Sequence, residues 1–212
     1  MRLLLRAFLD TLLPPRCHLC KAPVAGAEEL HLCAGCRDGV HYLESPCCPC
    51  CGLPFATEGG IDHLCAACTL HAPPFAAARG ALRFEGAARE LVHRFKYDRK
   101  VHLARPLGIL TVQHLTSHVA AHGCQLVVPV PLHVRRLRQR GFNQALLLGE
   151  FLARSWRLPL VRHSLRRIRW TEPQINLSAA ERSANVRGAF AVADAAPLQG
   201  KRVVLVDDVY TT

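Results

Sequence analysis

The 212-residue sequence has no uninterrupted apolar run approaching the ~20 residues that a membrane-spanning helix needs. Its first stretch, MRLLLRAFLDTLLPP, begins basic and apolar, but Arg6 and Asp10 interrupt it and no small-residue cleavage site follows. Both absences argue against a membrane span and a secretory leader. They predict a short amphipathic helix over residues 1–15, stopped by Pro14 and Pro15, in a cytoplasmic protein.

Acidic residues are scarce in the second part of the chain. Residues 1–73 hold five Lys/Arg and seven Asp/Glu, a net charge of −2, whereas residues 74–212 hold 22 and nine, a net charge of +13. Cysteines are instead concentrated in the first part, since ten of the 11 lie between Cys17 and Cys68. The composition therefore changes near the Pro73-Pro74 pair, which suits a linker. We predict a cysteine-rich domain over residues 16–72 and a basic domain over residues 73–212.

The cysteines of the first part are spaced in x-x pairs, which let both thiolates of a tight turn face one metal ion. In a reducing cytosol such pairs favour zinc over a disulfide scaffold, the alternative. CCPCC allows two registers, and we favour the one followed by Gly52, because metal-binding turns often need a residue free to adopt positive φ. Two structural zinc ions are expected, and the spacing leaves open which pairs share an ion. The predicted ligands are Cys17, Cys20, Cys33, Cys36, Cys48, Cys51, Cys65 and Cys68.

The second part alternates short apolar runs with segments of helical periodicity. This pattern predicts an α/β domain with an open parallel sheet and helices on both faces. Strands are predicted near residues 81–84, 126–130, 160–165 and 201–206. Helices are predicted around Leu91, Val92 and Phe95 and over residues 103–119, 143–156 and 178–185.

The last strand runs into two carboxylates and two hydroxyls in VVLVDDVYTT, residues 203–212. Ligands of open parallel sheets gather at the carboxyl ends of the strands. Asp207 and Asp208 could therefore accept hydrogen bonds from a diol or hold Mg²⁺ through water, and Thr211 and Thr212 could bind a phosphate. A pair of surface carboxylates in a turn is the alternative.

Arginine dominates the segment that follows the strand at 126–130. Between Pro131 and Trp170 there are ten arginines and one acid, Glu150. We expect them on loops above the parallel sheet, where such density favours contact with a polyanion over a merely solvated basic face. Aromatic residues make up only 6% of the chain, so a nucleic acid would be held mostly through its phosphates. Phe142, Trp156 and Trp170 are the few candidates for base stacking.

Several separate motifs occur together in one order: CHLC…CAGC…CPCCGLP…CAAC, LVHRFKYDRK, VPVPLHVRRLRQRGFNQA, TEPQINLSAAERSANVRGAF and VVLVDDVYTT. With them the chain resembles the ComF (ComFC/GntX-like) family over essentially its whole length. The resemblance implies a double zinc ribbon followed by a type I phosphoribosyltransferase-like domain. It also implies a link to natural competence and DNA uptake.

The resemblance assigns roles to residues of the second part. Asp207 and Asp208 would face the ribose hydroxyls of phosphoribosyl pyrophosphate, bound with Mg²⁺, and Thr211 and Thr212 would face its 5′-phosphate. The segment 131–141 would cradle pyrophosphate.

Further residues are implied with it. Within the pyrophosphate segment Arg140 is favoured, with Arg138 beside it. A flexible loop over residues 171–187 would close over the substrate, which makes Gln174 and Arg182 candidates.

Members of that family continue beyond the paired threonines with a glycine, a hydroxyl residue, a helix and a further strand. The resemblance therefore implies a C-terminally truncated fold, and we expect the 212-residue chain to bind the ligand weakly. Two alternatives to a phosphoribosyltransferase remain. One is a single-stranded DNA-binding competence factor that works with the uptake machinery, and the other is a zinc scaffold with a vestigial transferase fold.

Overall fold

The computed structural model describes residues 14–24, 30–57, 59–171 and 179–211. The helix predicted for residues 1–15 lies outside the described residues except for its last two positions. Gln174 and Thr212 lie outside them as well, as does the side chain of Arg182.

The cysteine-rich part contains two small units built on the same plan. In each, an antiparallel bridge closes a turn that contains one x-x cysteine pair: Arg16 with Pro23, and Cys47 with Pro54. In each, a second pair starts a five-residue helix. Cys33 caps helix α1 (Ala34–Asp38), and Cys65 caps helix α2 (Ala66–Leu70).

The basic part begins with two helices. Helix α3 (Gly86–Tyr97) buries Leu91, Val92 and Phe95, which confirms the predicted apolar face. A 3-10 turn (Val101–Leu103) follows, and helix α4 (Ala104–Ala121) is the longest helix of the described residues, with 18 residues. In the part of the chain that the structure describes, no helix combines the length and the apolar character needed to span a bilayer.

A parallel pair of strands forms the centre of the basic part. Strand β1 (Leu126–Pro129) pairs in register with the fourth strand in chain order, β4 (Val203–Val206). Helices α5 (Val134–Arg140) and α6 (Gln144–Trp156) make up most of the segment that follows β1. All four residues of β1 are buried, as expected for a strand covered on both faces. The mixed α/β architecture and a parallel pair are thus present.

An antiparallel pair of short strands lies between them in the chain. Strand β2 (Leu165–Arg167) pairs with β3 (Phe190–Val192), and helix α7 (Ala179–Val186) occurs in the connection. A 3-10 turn (Ala196–Leu198) then precedes β4. The helix matches the one predicted for residues 178–185, whereas the antiparallel pair was not predicted.

Two of the predicted strands are wrong, because each segment forms only a single isolated bridge. The segment 81–84 makes only one bridge, between Leu82 and Tyr42, because its backbone pairs with the cysteine-rich part rather than with a sheet. The segment 160–165 makes one parallel bridge, between Leu160 and Val127, before the chain turns away into β2. Neither segment extends the pairing long enough to form a strand of the parallel sheet.

The main hydrophobic core joins the first cysteine unit to the helices. Cys17 and Leu32 are at most 1% exposed and belong to the same cluster as Leu91 and Phe95, which are fully buried. Burying side chains such as the last two contributes about 1.5–3 kcal/mol each. The second cysteine unit instead forms a separate small cluster around Cys48, Cys65 and Cys68. Only the first unit is therefore part of the central core.

Candidate functional site

Eight cysteines form two clusters in which one sulfur atom from each of four residues lies within 4.8 Å of the others. The favoured register in CCPCC is confirmed. The structure also decides the sharing of ions that spacing left open, because neighbouring pairs come together. The clusters are Cys17, Cys20, Cys33 and Cys36, and Cys48, Cys51, Cys65 and Cys68.

The cluster geometry fits zinc. A tetrahedral site with Zn–S bonds of ~2.3 Å has sulfur–sulfur edges of about 3.8 Å. The Cys20 and Cys33 Sγ atoms are 3.4 Å apart, and those of Cys51 and Cys65 are 3.7 Å apart. Four cysteine ligands complete the tetrahedral coordination of zinc and leave no open position for water, which is typical of a structural site. The chain therefore has two zinc-binding sites, each formed by four cysteines.

Backbone N–H groups favour the thiolate form in both clusters. Burial opposes ionisation of Cys17, but backbone N–H donors, including that of Leu19 at 3.4 Å, outweigh it and lower the pKa of this thiol to about 6. Cys48 is similar: burial raises its pKa, whereas N–H groups including that of Cys65, also at 3.4 Å, lower it to about 6. Burial and the neighbouring cysteines raise the pKa of Cys36 in the first cluster and of Cys68 in the second, and a bound divalent cation would remove the repulsion between the thiolates.

Gly52 allows the second cluster to form its turn. Its φ is +71°, and its N–H donates to the Cys48 carbonyl at 2.8 Å. A Cβ atom at this position would lie 2.6 Å from the carbonyl oxygen of Ala78. Glycine is thus required both for the backbone conformation and for the close approach of the linker.

Cys47 belongs to neither cluster and has a different role. Cys47 is 3% exposed, and its N–H donates to Asp62 Oδ1 at 2.9 Å. The guanidinium of Arg79 donates to its sulfur and lies 3.4 Å from Asp62. This side-chain cluster fastens the linker to the second cysteine unit, so Cys47 is a structural thiol outside the zinc set.

Asp207 and Asp208, the carboxylate edge, directly follow β4 at the carboxyl ends of the parallel pair. The Asp208 backbone N–H donates to Asp207 Oδ1 at 2.8 Å, which holds the Asp207 carboxylate against the Asp208 main chain. Lys96 Nζ, from the last turn of α3, lies 3.0 Å from Asp208 Oδ1. The strand end, the following turn and α3 thus converge on the predicted carboxylates.

A cation-lined cavity of about 210 Å³ adjoins the carboxylate edge through Lys96. Its described lining contains four cationic side chains and no acid. The lining is Lys96, Tyr97, Arg99, Arg136, Gln139 and Arg140. Arg140 lies over the Tyr97 ring, 5.7 Å from its centroid, and Arg99 donates to the Gln139 carbonyl at 2.9 Å. The cavity has the size and the charge for a phosphate or a diphosphate.

The electrostatics join the edge to the cavity. Asp207 retains exposed surface, but loss of water around its carboxyl group and the neighbouring Asp208 carboxylate raise its pKa to about 6. Burial lowers the pKa of Arg140, an effect that Asp208 opposes and Arg136 reinforces. Burial also lowers the pKa of Arg167, which Arg136 reinforces and Asp207 opposes. The carboxylates of the edge and the arginines around the cavity are therefore close enough to interact electrostatically.

The predicted residues divide into two groups. Asp207, Asp208 and Arg140 come together, whereas Arg138 is exposed and is not among the residues that line the cavity. Thr211 is exposed beyond the carboxylates. The candidates Gln174 and Thr212 lie outside the described residues, and nothing is described of the Arg182 side chain.

One prediction for the basic segment is wrong, and three cations of the site were missed. The arginines expected on loops after β1 lie in helix α5, which begins at a His133 cap and ends at Gly141 with φ +88°. Lys96, Arg99 and Arg167 were not predicted for the site, although Lys96 lies within LVHRFKYDRK, one of the motifs that carried the resemblance. Lys96 and Asp208 are 112 residues apart, so only the fold brings them together.

Comparison with known proteins supports the zinc sites and the family. The sequence profile described as the Double zinc ribbon domain matches residues 8–69. The DNA utilization protein YhgH of Salmonella typhimurium is 34% identical over 202 residues, covering 94% of this chain and 86% of that protein. Competence protein F of Haemophilus influenzae is 30% identical over 201 residues, with coverage of 93% and 85%.

A more distant relative agrees. Competence protein ComFC of Bacillus subtilis is 26% identical over 187 residues, which cover 85% of this chain and 72% of that protein. No solved structure matches the chain. The double zinc ribbon, the two four-cysteine sites and these similarities over most of the chain show that it belongs to the ComF family.

Proposed function

We propose that the carboxylate edge and the cation-lined cavity bind phosphoribosyl pyrophosphate with Mg²⁺, and that the protein transfers the phosphoribosyl group in support of DNA uptake or utilization. One observation carries the proposal: two carboxylates at the end of a parallel strand adjoin a cavity lined by four cations. The names of the relatives, which refer to competence and DNA utilization, support the biological context.

Each part of the ligand has a matching group in this arrangement. Asp207 and Asp208 accept hydrogen bonds from the ribose diol or from metal-bound water. Lys96, Arg136 and Arg140 neutralise the diphosphate. Bound Mg²⁺ supplies positive charge that stabilises the departing pyrophosphate.

The remaining assignments extend the same proposal. Thr211 and Thr212 bind the 5′-phosphate, and Gln174 and Arg182 belong to a segment that closes over the ligand. Arg138 lies further out and contributes long-range attraction. We also propose that the double zinc ribbon spans residues 16–72 and a phosphoribosyltransferase-like domain residues 73–212, after an N-terminal segment (1–15), and that the protein works in the reducing cytosol.

The chemistry asked of the protein is mainly electrostatic. The transition state at the anomeric carbon is positively charged, and the leaving diphosphate is negatively charged. The cavity therefore has to hold the leaving group in place, while the carboxylates orient the ribose.

Calorimetry tests this proposal. Phosphoribosyl pyrophosphate is titrated with and without Mg²⁺ into the 212-residue protein and into a version extended by the segment that follows the paired threonines in the family. Saturable, Mg²⁺-dependent binding by the extended protein is expected, with most of it lost in the Asp207→Asn, Asp208→Asn double variant. Binding that survives this substitution, or its absence from both lengths, would overturn the proposal.

A second candidate function is the binding of single-stranded nucleic acid. The observation that favours it is the arginine-rich surface of α5, where Arg135 and Arg136 lie over the Trp170 ring at 5.0 and 5.1 Å from its centroid. Such binding should weaken steeply as salt is raised, because phosphate contacts release counterions. An affinity that is unchanged between low and physiological salt would exclude it.

A further inference from the structure

The structure separates the three aromatic residues that the sequence offered for base stacking. Phe142 packs against Phe95 in the main core, with ring centroids 5.7 Å apart. Trp156 also packs against the core and donates from Nε1 to Thr116 Oγ1 at 3.0 Å. Trp170 alone among the three lies against arginines. Its surroundings differ from those of an ordinary core residue.

Trp170 forms a cluster with the beginning of α5. The guanidinium carbons of Arg135 and Arg136 lie 5.0 and 5.1 Å from its ring centroid, and His133 meets it edge-on at 5.5 Å. Arg135 is exposed, whereas Trp170 and Arg136 are half-buried. Stacked aromatic and guanidinium planes are the surfaces that hold unpaired nucleobases in single-stranded nucleic acid.

Arg136 connects this cluster to the cation-lined cavity, because it contributes to both. Its charge also acts on Arg140 and Arg167, which places all three arginines in one electrostatic neighbourhood. A base at Trp170 would thus have its own phosphate, or that of its neighbour, directed toward Arg136 and the cavity. The alternation of phosphate and base in a nucleotide chain matches this order of groups.

We propose that the cluster of Trp170, Arg135 and Arg136 is a nucleobase subsite for single-stranded nucleic acid, next to a phosphate position at the cavity. The inference rests on the second candidate function, nucleic-acid binding, and adds a base contact that charge alone would not supply. Because every base has an aromatic face, the subsite binds without sequence preference. It also predicts that affinity depends on bases as well as on phosphates.

The test compares two ligands of equal charge. An oligothymidylate of about 12 nucleotides, within the usual site size, is titrated beside an abasic oligodeoxynucleotide of the same length. The unaltered protein is expected to bind the base-containing strand on the order of tenfold more tightly. In Trp170→Leu this difference should disappear while abasic binding stays within about twofold, and Trp156→Leu is the matched control that retains the difference.

A fluorescence measurement leaves Trp170 in place. The chain has two tryptophans, so Trp156→Phe makes Trp170 the sole tryptophan emitter. Its emission should be quenched by oligothymidylate and not by the abasic strand at equal occupancy. Equal binding of both strands, or equal loss of both in Trp170→Leu, would overturn the stacking subsite and leave a purely electrostatic surface. Binding of neither strand would overturn it together with nucleic-acid binding, without affecting the phosphoribosyl proposal.

Discussion

Lys96 Nζ lies 3.0 Å from Asp208 Oδ1, and this ion pair joins the last turn of α3 to the loop after β4. The two side chains are 23% and 9% exposed, so the pair lies between a surface salt bridge and a fully buried one. It places a positive charge beside the carboxylate edge and in the lining of the cavity at the same time. Its geometry therefore determines the site that we propose.

Removal of Lys96 should leave the Asp208 carboxylate without its partner. We expect Lys96→Met to lower the free energy of unfolding by about 1–3 kcal/mol, between the values typical of exposed and buried pairs. Urea denaturation measures this, with the exposed neighbour Lys100→Met as the control. A double-mutant cycle with Asp208→Asn should give a coupling energy above zero. Additive effects would show that the two groups do not stabilise each other.

The raised pKa of Asp207, about 6, predicts a pH dependence. The folded pKa exceeds the unfolded value near 3.8, so the stabilisation from protonation is complete below the unfolded value and is lost as pH rises through about 6. Because the residue is exposed, solvent screening limits the loss to about 1 kcal/mol.

Comparing the unaltered protein with Asp207→Asn by chemical denaturation from pH 4.5 to 7.5 isolates this effect. As pH rises, the free energy of unfolding of the unaltered protein should fall relative to that of Asp207→Asn. Cation binding at the edge should follow the opposite course, weakening below about pH 6 as the carboxylate takes up a proton. Parallel pH profiles of stability in both proteins would contradict the prediction.

The zinc register illustrates what local sequence can predict. In CCPCC the choice depended on Gly52, and the structure gives that glycine a positive φ and a close contact with Ala78. Helix α3 was equally predictable from the sequence, since its buried residues recur at helical spacing. Helix α5 was not, because none of its seven residues is buried and so no apolar stripe marks it.

The pairing of distant residues could not be predicted in this way. Spacing alone could not show which cysteine pairs share an ion. Lys96 reaches Asp208 only because the fold brings the last turn of α3 next to the loop after β4. Strands β2 and β3 have three residues each, which is too short for a clear periodicity, and two of the three residues of β2 are arginines, so their pairing depends on the fold around them.

Zinc content and its effect on stability should differ between the two sites. Purified, reduced protein is expected to carry close to two zinc ions per chain, as measured by metal analysis. Cys20→Ser should lower the thermal stability more than Cys51→Ser, because only the first cluster belongs to the main core. Equal losses would show that the second cluster also supports the core, and protein without zinc would refute both sites.

Arg94 connects the first zinc site to the helix that carries Lys96. Its Nη1 donates to the carbonyls of His18 and Leu19, inside the turn between Cys17 and Cys20, at 2.7 and 3.0 Å. Its Nε lies 2.7 Å from Glu90 Oε1, which holds the guanidinium in place. The metal turn and α3 are thus joined by one planar side chain.

Arg94→Lys keeps the charge but cannot reproduce this fork of donors. We expect it to lower the free energy of unfolding by about 1–3 kcal/mol, because half-buried carbonyls lose their partners, and to speed the release of one of the two zinc ions to a colorimetric chelator. Arg89→Lys, an exposed position on the same helix, is the control and should change neither value. If release from both sites were accelerated equally, Arg94 would support the fold in general rather than the first zinc turn, and unchanged release with unchanged stability would mean that its two hydrogen bonds contribute nothing.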